Sequence, residues 1–512
     1  MTSSPHAFHT LLQAGGADAP AISAPGRSKL THAGLRALAE RTIARLNELG
    51  AGRNDRVAIV LPNGPEMATC YLACAGGTTS APLNPAYRAE EFEFYLSDLN
   101  AKLLIVEKGS ASPAVEVATR LGVRIVELGV AEGAAAGEFT LHARAGDAPV
   151  VATSALHGGW SEAADVGMVL HTSGTTSRPK IVPLSVGNLA ASARNIRTTL
   201  QFTPDDRGLN IMPLFHIHGL IAGVLAPISA GAEVFCTPGF NALKFFAWMD
   251  EANPTWYTAV PTMHQAILQR AKGNIEVIAR HPLRFLRSSS SSIPPQVIRE
   301  LEEAFGAPLI ESYGMTEACH QMASNPLPPA VRKPGTVGVA AGPEVAIMLD
   351  GELLPRGETG EIVIRGDNVT AGYENNPKAN EEGFSSGWFR TGDQGVMDAD
   401  GYISITGRLK EIINRGGEKI SPREVDEILM DHAAVAQVVC FGLPHPKLGE
   451  EVAAVVVLRD GHAASEKDLQ SFVAGRAADF KVPKKILFMD EIPKGATGKL
   501  QRIGLAAKLG LV

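Results

Sequence analysis

Cysteine is scarce: the 512 residues hold five, Cys70, Cys74, Cys236, Cys319 and Cys440, with no Cys-x-x-Cys pair and no repeated spacing. That excludes a disulfide framework and reads as buried thiols in a reducing compartment. Long apolar runs are missing too, since none approaches the ~18 residues that a bilayer-spanning helix needs. The chain opens on Met1-Thr2-Ser3-Ser4-Pro5, without the basic and then apolar stretch of a secretory leader. It closes on Leu509-Gly510-Leu511-Val512, which is not a peroxisomal Ser-Lys-Leu address. The expected location is cytoplasmic. Nor is positive charge in excess: 47 Lys and Arg against 54 Asp and Glu give a net charge of -7. Nucleic acid and membrane are therefore not the expected partners, and affinity for an anion has to be built locally.

What is present is the texture of a multidomain α/β protein. A hydrophobic share of 45% with 20% charged residues suits large buried cores, and the length calls for two or more domains. Short apolar runs, Arg56-Val57-Ala58-Ile59-Val60-Leu61, Leu103-Leu104-Ile105-Val106 and Arg124-Ile125-Val126-Glu127-Leu128, alternate with helical stretches such as residues 35–46. That rhythm predicts parallel βαβ units and a doubly wound core. It resumes with Trp256-Tyr257-Thr258-Ala259-Val260, Arg284-Phe285-Leu286-Arg287 and Pro308-Leu309-Ile310-Glu311. From about Gly335 strict alternation between glycines, as in Glu361-Ile362-Val363-Ile364-Arg365, predicts an antiparallel sheet or barrel. Beyond Gly407-Arg408-Leu409-Lys410 a compact terminal domain of roughly a hundred residues is expected. It would include a helix with Ser421 as N-cap, Pro422 at N1 and Glu424 at N3.

The most informative stretch is Thr172-Ser173-Gly174-Thr175-Thr176-Ser177-Arg178-Pro179-Lys180, directly after the apolar run Val166-Gly167-Met168-Val169-Leu170-His171. Glycine lets backbone N–H groups approach phosphate oxygens, hydroxyls add donors that rotate to fit, and Lys and Arg balance charge. The Gly-x-x-x-x-Gly-Lys-Ser/Thr order of a Walker A loop is absent. A polyphosphate-binding loop after a buried strand is the expectation.

Four further motifs follow in order: Glu311-Ser312-Tyr313-Gly314-Met315-Thr316-Glu317, Trp388-Phe389-Arg390-Thr391-Gly392-Asp393, Gly407-Arg408-Leu409-Lys410 running on to Arg415-Gly416-Gly417-Glu418-Lys419, and Pro493-Lys494-Gly495-Ala496-Thr497-Gly498-Lys499. With the Ser/Thr/Gly loop they resemble the adenylate-forming acyl-CoA synthetase family over essentially the whole chain. Within it, His171 to Lys180, Pro213-Leu214-Phe215-His216-Ile217-His218-Gly219 and Thr255-Trp256-Tyr257-Thr258-Ala259-Val260-Pro261-Thr262 are most similar to the oxalate:CoA ligases.

The resemblance implies a large N-terminal domain, residues 1–409, of doubly wound parallel sheets with a β-barrel-like subdomain, and a small mobile α+β domain, residues 410–512. It implies ATP, Mg²⁺ and CoA as cofactors, a small-molecule carboxylic acid as substrate, and a monomer or homodimer. The family reaction joins a carboxylate to the α-phosphorus of ATP, releasing pyrophosphate, and then lets the thiol of CoA displace AMP. The implied catalytic set is Lys499, Thr316 and Glu317, with Glu317 holding Mg²⁺. Thr172, Ser173, Gly174, Thr175, Thr176 and Lys180 would hold phosphates; Ser290, Glu311, Ser312, Tyr313, Gly314 and Met315 would line the adenine site, Tyr313 by stacking. Asp393 and Arg408 would take the ribose, Lys410 would be the hinge, and Gly416 and Gly417 would meet CoA, with Arg415 and Lys419 near its phosphates.

For the acyl pocket the resemblance points to His216, Ser289, Ser291 and His320. Imidazoles and hydroxyls suit a small polar acid, because each buried polar group facing an alkyl chain unpaired costs about 1–3 kcal/mol. Oxalate would offer its second carboxylate to His216, His320 or Arg287. The alternatives are an aryl or short- to medium-chain acyl-CoA synthetase, or a stand-alone adenylation enzyme loading a carrier protein, against which stands the lack of a carrier domain after Val512. Two positions depart from the family pattern. Ile181 stands where glycine is general, which predicts a strained loop exit and slower adenylation, and Val186 stands where Ser-His-Gly-Asn or a relative is usual.

Overall fold

Runs of β-branched residues bounded by glycine and proline form two largely parallel sheets in this computed structural model, which describes residues 8–144, 154–172, 179–493 and 502–512. Ser173, Gly174, Thr175, Thr176 and Lys499 lie outside the described residues. Among those described, a seven-stranded sheet has Leu103–Glu107, Arg56–Val60 and Thr79–Pro82 parallel at its centre. The hairpin of Val166–Thr172 with Lys180–Ser185 forms one antiparallel edge. A nine-stranded sheet carries Leu309–Met315, Phe285–Ser288, Trp256–Ala259, Arg207–Asn210 and Glu233–Cys236 as parallel neighbours.

The helix Pro65–Gly77, buried on every side except at Glu66, lies between these sheets and touches strands of both. A helix apolar all round is what an interlayer position demands. The same space takes a π-helical segment, His218–Leu225, that is buried throughout. From residue 344 the predicted alternation yields an antiparallel six-stranded sheet, in which no pairing closes a barrel among the described residues. Residues from Ile413 onward build their own five-stranded sheet over separate apolar clusters, one centred on Val425, Leu429 and Val456. All five cysteines are buried and free, and no described helix is long and apolar enough to cross a membrane.

Two local expectations are corrected. The helix Pro422–Met430 starts where Ser421 predicts, but the Ser421 hydroxyl makes no cap bond and instead donates to the carbonyl of Thr406. Glu424 is likewise diverted, to Lys481. Tertiary partners have outbid the local capping box, and Ser421 fastens the last domain to the strand Ile403–Arg408. Ile181 is not strained either. It occupies an ordinary strand position, buried against the cluster around Leu104 and Val169, and its carbonyl accepts from the N–H of Glu374. Val186 opens a helix that Ser185 caps, with Asn188 returning the bond.

Burial also sets a pH limit on the fold. His264 is fully buried between the Tyr257 hydroxyl, 3.0 Å from Nδ1, and the Arg287 carbonyl, 3.1 Å from Nε2. Desolvation pushes its imidazole down to about 4. A folded-state value below the unfolded one means that the unfolded chain takes up the proton first, so stability is whole above pH 6.5 and declines as pH falls toward 4. His32, also buried, shifts in the same direction for the same reason. Urea unfolding at pH 7 and pH 4 is expected to differ by roughly 3 kcal/mol from His264 alone, and a His264→Gln variant should show a shallower slope over that window.

Candidate active site

Side chains from separated segments of the sheets meet through a short series of contacts. Thr172 and Lys180, the two ends of the Ser/Thr/Gly stretch, are direct cross-strand partners. The Lys180 ammonium sits 4.3 Å from the ring centroid of Tyr373, over its face.

Glu317 is presented by a tight turn, Thr316–Ala318, between the strands Leu309–Met315 and His320–Ser324. The crossing is so close at Gly314 that a Cβ there would lie 1.8 Å from the His320 carbonyl oxygen, which requires glycine. Glu317 is buried, and its Oε1 accepts from the Tyr373 hydroxyl at 2.8 Å. Burial raises its carboxyl above the usual range, opposed by that hydroxyl and by the charges of Arg408 and Lys180. Thr316 and Met315 are half-buried beside it.

Asp393 and Arg408 face each other across the strands Trp388–Met397 and Ile403–Arg408, and Arg408 Nε donates to Asp393 Oδ1 at 2.8 Å. The Tyr313 hydroxyl donates to the other oxygen of the same carboxylate. Tyr313 is thus tied to the aspartate as well as buried. The Glu311 carboxylate accepts from the Gly335 N–H at 3.1 Å, and burial pushes it up to about 8. The Ser312 hydroxyl donates to the Ser288 carbonyl at 3.4 Å. Both side chains are engaged within the protein, Glu311 with a turn and Ser312 with the neighbouring strand, so what the Glu311 to Met315 run offers a ligand is chiefly backbone.

A pair of histidines is organised around Arg287, completely buried on the strand Phe285–Ser288. One of its terminal nitrogens is 3.2 Å from His218 Nε2, and the other is 3.1 Å from His320 Nε2 and 3.4 Å from Gln321 Oε1. The two imidazoles stack with centroids 4.9 Å apart. A guanidinium only donates, so both Nε2 atoms accept and each ring carries its proton on Nδ1. His218 Nδ1 then donates to the Ser290 hydroxyl at 3.1 Å. Among the described residues no carboxylate pairs with Arg287, its Nε has no partner, and burial pushes the guanidinium down to about 9. Ser290 and His320 sit at φ of +75° and +93°, a conformation that side chains other than glycine adopt only where the surroundings hold it.

The serines and histidines sort differently from expectation. Ser289 is buried with its hydroxyl given to the Ser312 carbonyl at 3.0 Å, and Ser291 is exposed and bonds the Ser290 carbonyl. Ser290 is the serine that reaches the histidine pair. His216 is half-buried, its Nδ1 accepting from the His218 N–H at 3.4 Å. Sequence reasoning passed over His218 and Tyr373. The available signal for the first was the His-x-His spacing ahead of an apolar run, since a π-helical start often marks a working site. A cavity of about 460 Å³ opens beside Phe215, walled by Asn84, Tyr87, Phe240 and Met263.

In the last domain Gly416 and Gly417, at φ of +60° and +100°, make the two-residue turn between the strands Ile413–Arg415 and Glu418–Ile420. Two successive left-handed residues account for the double glycine by themselves. Arg415 pairs with Glu451 and Lys419 is exposed. Lys410 is exposed in the turn Leu409–Glu411, and its neighbour Glu411 accepts from Arg502 at 3.1 Å.

Residues 12–374 match the AMP-binding enzyme family, and residues 424–499 match the AMP-binding enzyme C-terminal domain. Over 492 residues the chain is 46% identical to an oxalate–CoA ligase of Arabidopsis thaliana, covering 95% of this chain and 94% of that one. It is 42% identical over 470 residues to an oxalate–CoA ligase of Saccharomyces cerevisiae, covering 88% and 86%. In three dimensions it is similar to o-succinylbenzoate coenzyme A synthetase (MenE) from Bacillus subtilis in complex with ATP and magnesium ion, with a TM-score of 0.80, 27% identity, and coverage of 97% and 98%.

Proposed function

This chain belongs to the AMP-binding enzyme family, and from that premise we propose that the acid it activates is oxalate or another small polar acid. It is an ATP-dependent acid:CoA ligase, forming an acyl-adenylate with release of pyrophosphate and then an acyl-CoA thioester with release of AMP. The observation that carries the substrate reading is Arg287, a fully buried cation with no acidic partner among the described residues. A buried guanidinium left without an anion is costly, and one that keeps His218, His320 and Gln321 around it is a receptor for a carboxylate. Oxalate meets that need with one carboxylate held at Arg287 while the other faces the α-phosphate. The oxalate ligases at 42% and 46% identity support the same acid.

The remaining roles are proposed with it. Lys180 and the Thr172 end of the loop hold the phosphates, Asp393 and Arg408 hold the ribose, and Tyr313 packs against the adenine. Glu317 supplies the oxygen ligand a hard cation prefers, and no described cluster of three His, Cys, Asp or Glu competes with it. Mg²⁺ bound there would neutralise phosphate charge during attack. Lys499 bridges the carboxylate and the α-phosphate, then leaves as residues 410–512 turn about Lys410 and bring the Gly416-Gly417 turn to CoA. We place the enzyme in the cytoplasm on the support of its free, buried cysteines, and expect a monomer or homodimer.

An acid panel tests the substrate. Pyrophosphate release and thioester mass should rank oxalate above acetate, hexanoate and benzoate by at least tenfold in kcat/KM, a difference of about 1.4 kcal/mol. A ranking led by hexanoate or benzoate would remove oxalate.

A further inference from the structure

Tyr373 stands between the cation at the end of the phosphate stretch and the acid on the opposite turn. Its hydroxyl donates to Glu317 Oε1 at 2.8 Å, and its ring carries the Lys180 ammonium at 4.3 Å. Among the described residues Lys180 and Glu317 form no ion pair within 4.0 Å. A direct pair would tie up both groups. A hydroxyl on one and a π-face under the other hold the two side chains near one another without pairing them to each other, so that both remain open to a ligand.

The chain around Tyr373 is built to keep it there. Asn380 brackets its backbone, accepting from the Tyr373 N–H at 2.7 Å and donating to its carbonyl at 2.8 Å. The next residue, Glu374, binds the carbonyl of Ile181 through its N–H and the Arg56 guanidinium through its carboxylate. Three residues earlier, Thr370 binds the Glu317 carbonyl through its N–H at 2.7 Å and the Pro183 carbonyl through its hydroxyl at 2.8 Å. The segment is therefore pinned on one side to the strand that carries Lys180 and on the other to the turn that carries Glu317. Tyr373 itself is buried, with its hydroxyl turned to the Glu317 carboxylate.

We infer that Tyr373 is a positioning residue for the adenylation half-reaction, setting the Glu317 carboxylate through its hydroxyl and Lys180 through its ring. This rests on the reading of Glu317 as the magnesium-holding acid. Two variants separate the two functions of the side chain. Tyr373→Phe keeps the ring and loses the hydroxyl, while Tyr373→Leu loses both.

ATP binding by the full-length protein is measured by calorimetry in EDTA and again with Mg²⁺, beside pyrophosphate exchange and thioester formation from supplied oxalyl-adenylate. Tyr373→Phe should bind ATP in EDTA as the parent does, lose most of the tightening that Mg²⁺ gives, and slow exchange roughly tenfold, as expected for one lost charge-assisted hydrogen bond. Tyr373→Leu should in addition weaken binding in EDTA severalfold. Thioester formation from the adenylate should stay within about twofold in both, since the positioning acts on the polyphosphate. Glu317→Gln run alongside separates the failures. If Glu317→Gln loses the Mg²⁺ effect and Tyr373→Phe keeps it with full exchange, the Tyr373 inference is overturned. If Glu317→Gln keeps it too, the Glu317 assignment falls first. Equal loss of both half-reactions, or a lowered melting temperature that accounts for the loss, would show a structural role only.

Discussion

Replacing Arg287 by methionine is expected to lower kcat/KM for oxalate by roughly 30- to several-thousand-fold, the equivalent of about 2–5 kcal/mol for removing one partner of a buried charge-assisted contact. The same change should leave acetate nearly untouched or improve it, because acetate has no second carboxylate to place. Fold stability is expected to move little. Methionine relieves the desolvation of a completely buried guanidinium, while His218, His320, Gln321 and Thr258 lose a donor. These effects oppose each other and are of similar size. Initial rates with both acids, read beside thermal melts, decide the matter. Parallel losses on oxalate and acetate would mean that Arg287 supports the pocket without reading the acid.

Much of this architecture was legible because it is periodic. The two-residue alternation after Gly335 and the apolar runs separated by helical lengths each correspond to one sheet environment, and those sheets are present. Three of the ordered motifs, too, name segments that meet among the described residues, as the bonds of Tyr313 and Arg408 to Asp393 show. What stayed hidden depends on partners remote in sequence. Ser421 carries a sound capping signal that loses to the Thr406 carbonyl, a competitor visible only after folding. Ile181 looks like a strained intruder until the strand pairing puts it in a regular, buried position. Arg287 was legible as one of three candidates for a second carboxylate, and what only folding adds is its complete burial with no acidic partner among the described residues. Tyr373 gives no signal at all, because its meaning lies in Lys180 and Glu317, 193 and 56 residues away.

Lys499→Ala is expected to divide the two halves of the reaction most sharply. The first half brings a carboxylate against an anionic triphosphate, and a positive group aimed at the developing charge is worth roughly 100- to 1,000-fold in rate. Oxalate-dependent pyrophosphate exchange should fall by about that factor, with ATP affinity changed far less. The second half has no such demand: the adenylate is already activated, AMP leaves as the thiol attacks, and thioester formation from supplied oxalyl-adenylate should stay within about threefold of the parent. Tyr373→Phe gives the internal comparison, since it touches the polyphosphate side while leaving Lys499 intact, so its effect on ATP binding should depend on Mg²⁺ where that of Lys499→Ala does not. Arg502, three residues beyond Lys499, is held by Asp426 at 2.8 Å and by Glu411 beside Lys410. Glu411, at the start of residues 410–512, and Arg502, near their end, therefore meet in one half-buried ion pair. If Lys499→Ala slowed both halves equally, the lysine would belong to that common framework, and the charge that lets the acid attack phosphorus would have to come from elsewhere in the site.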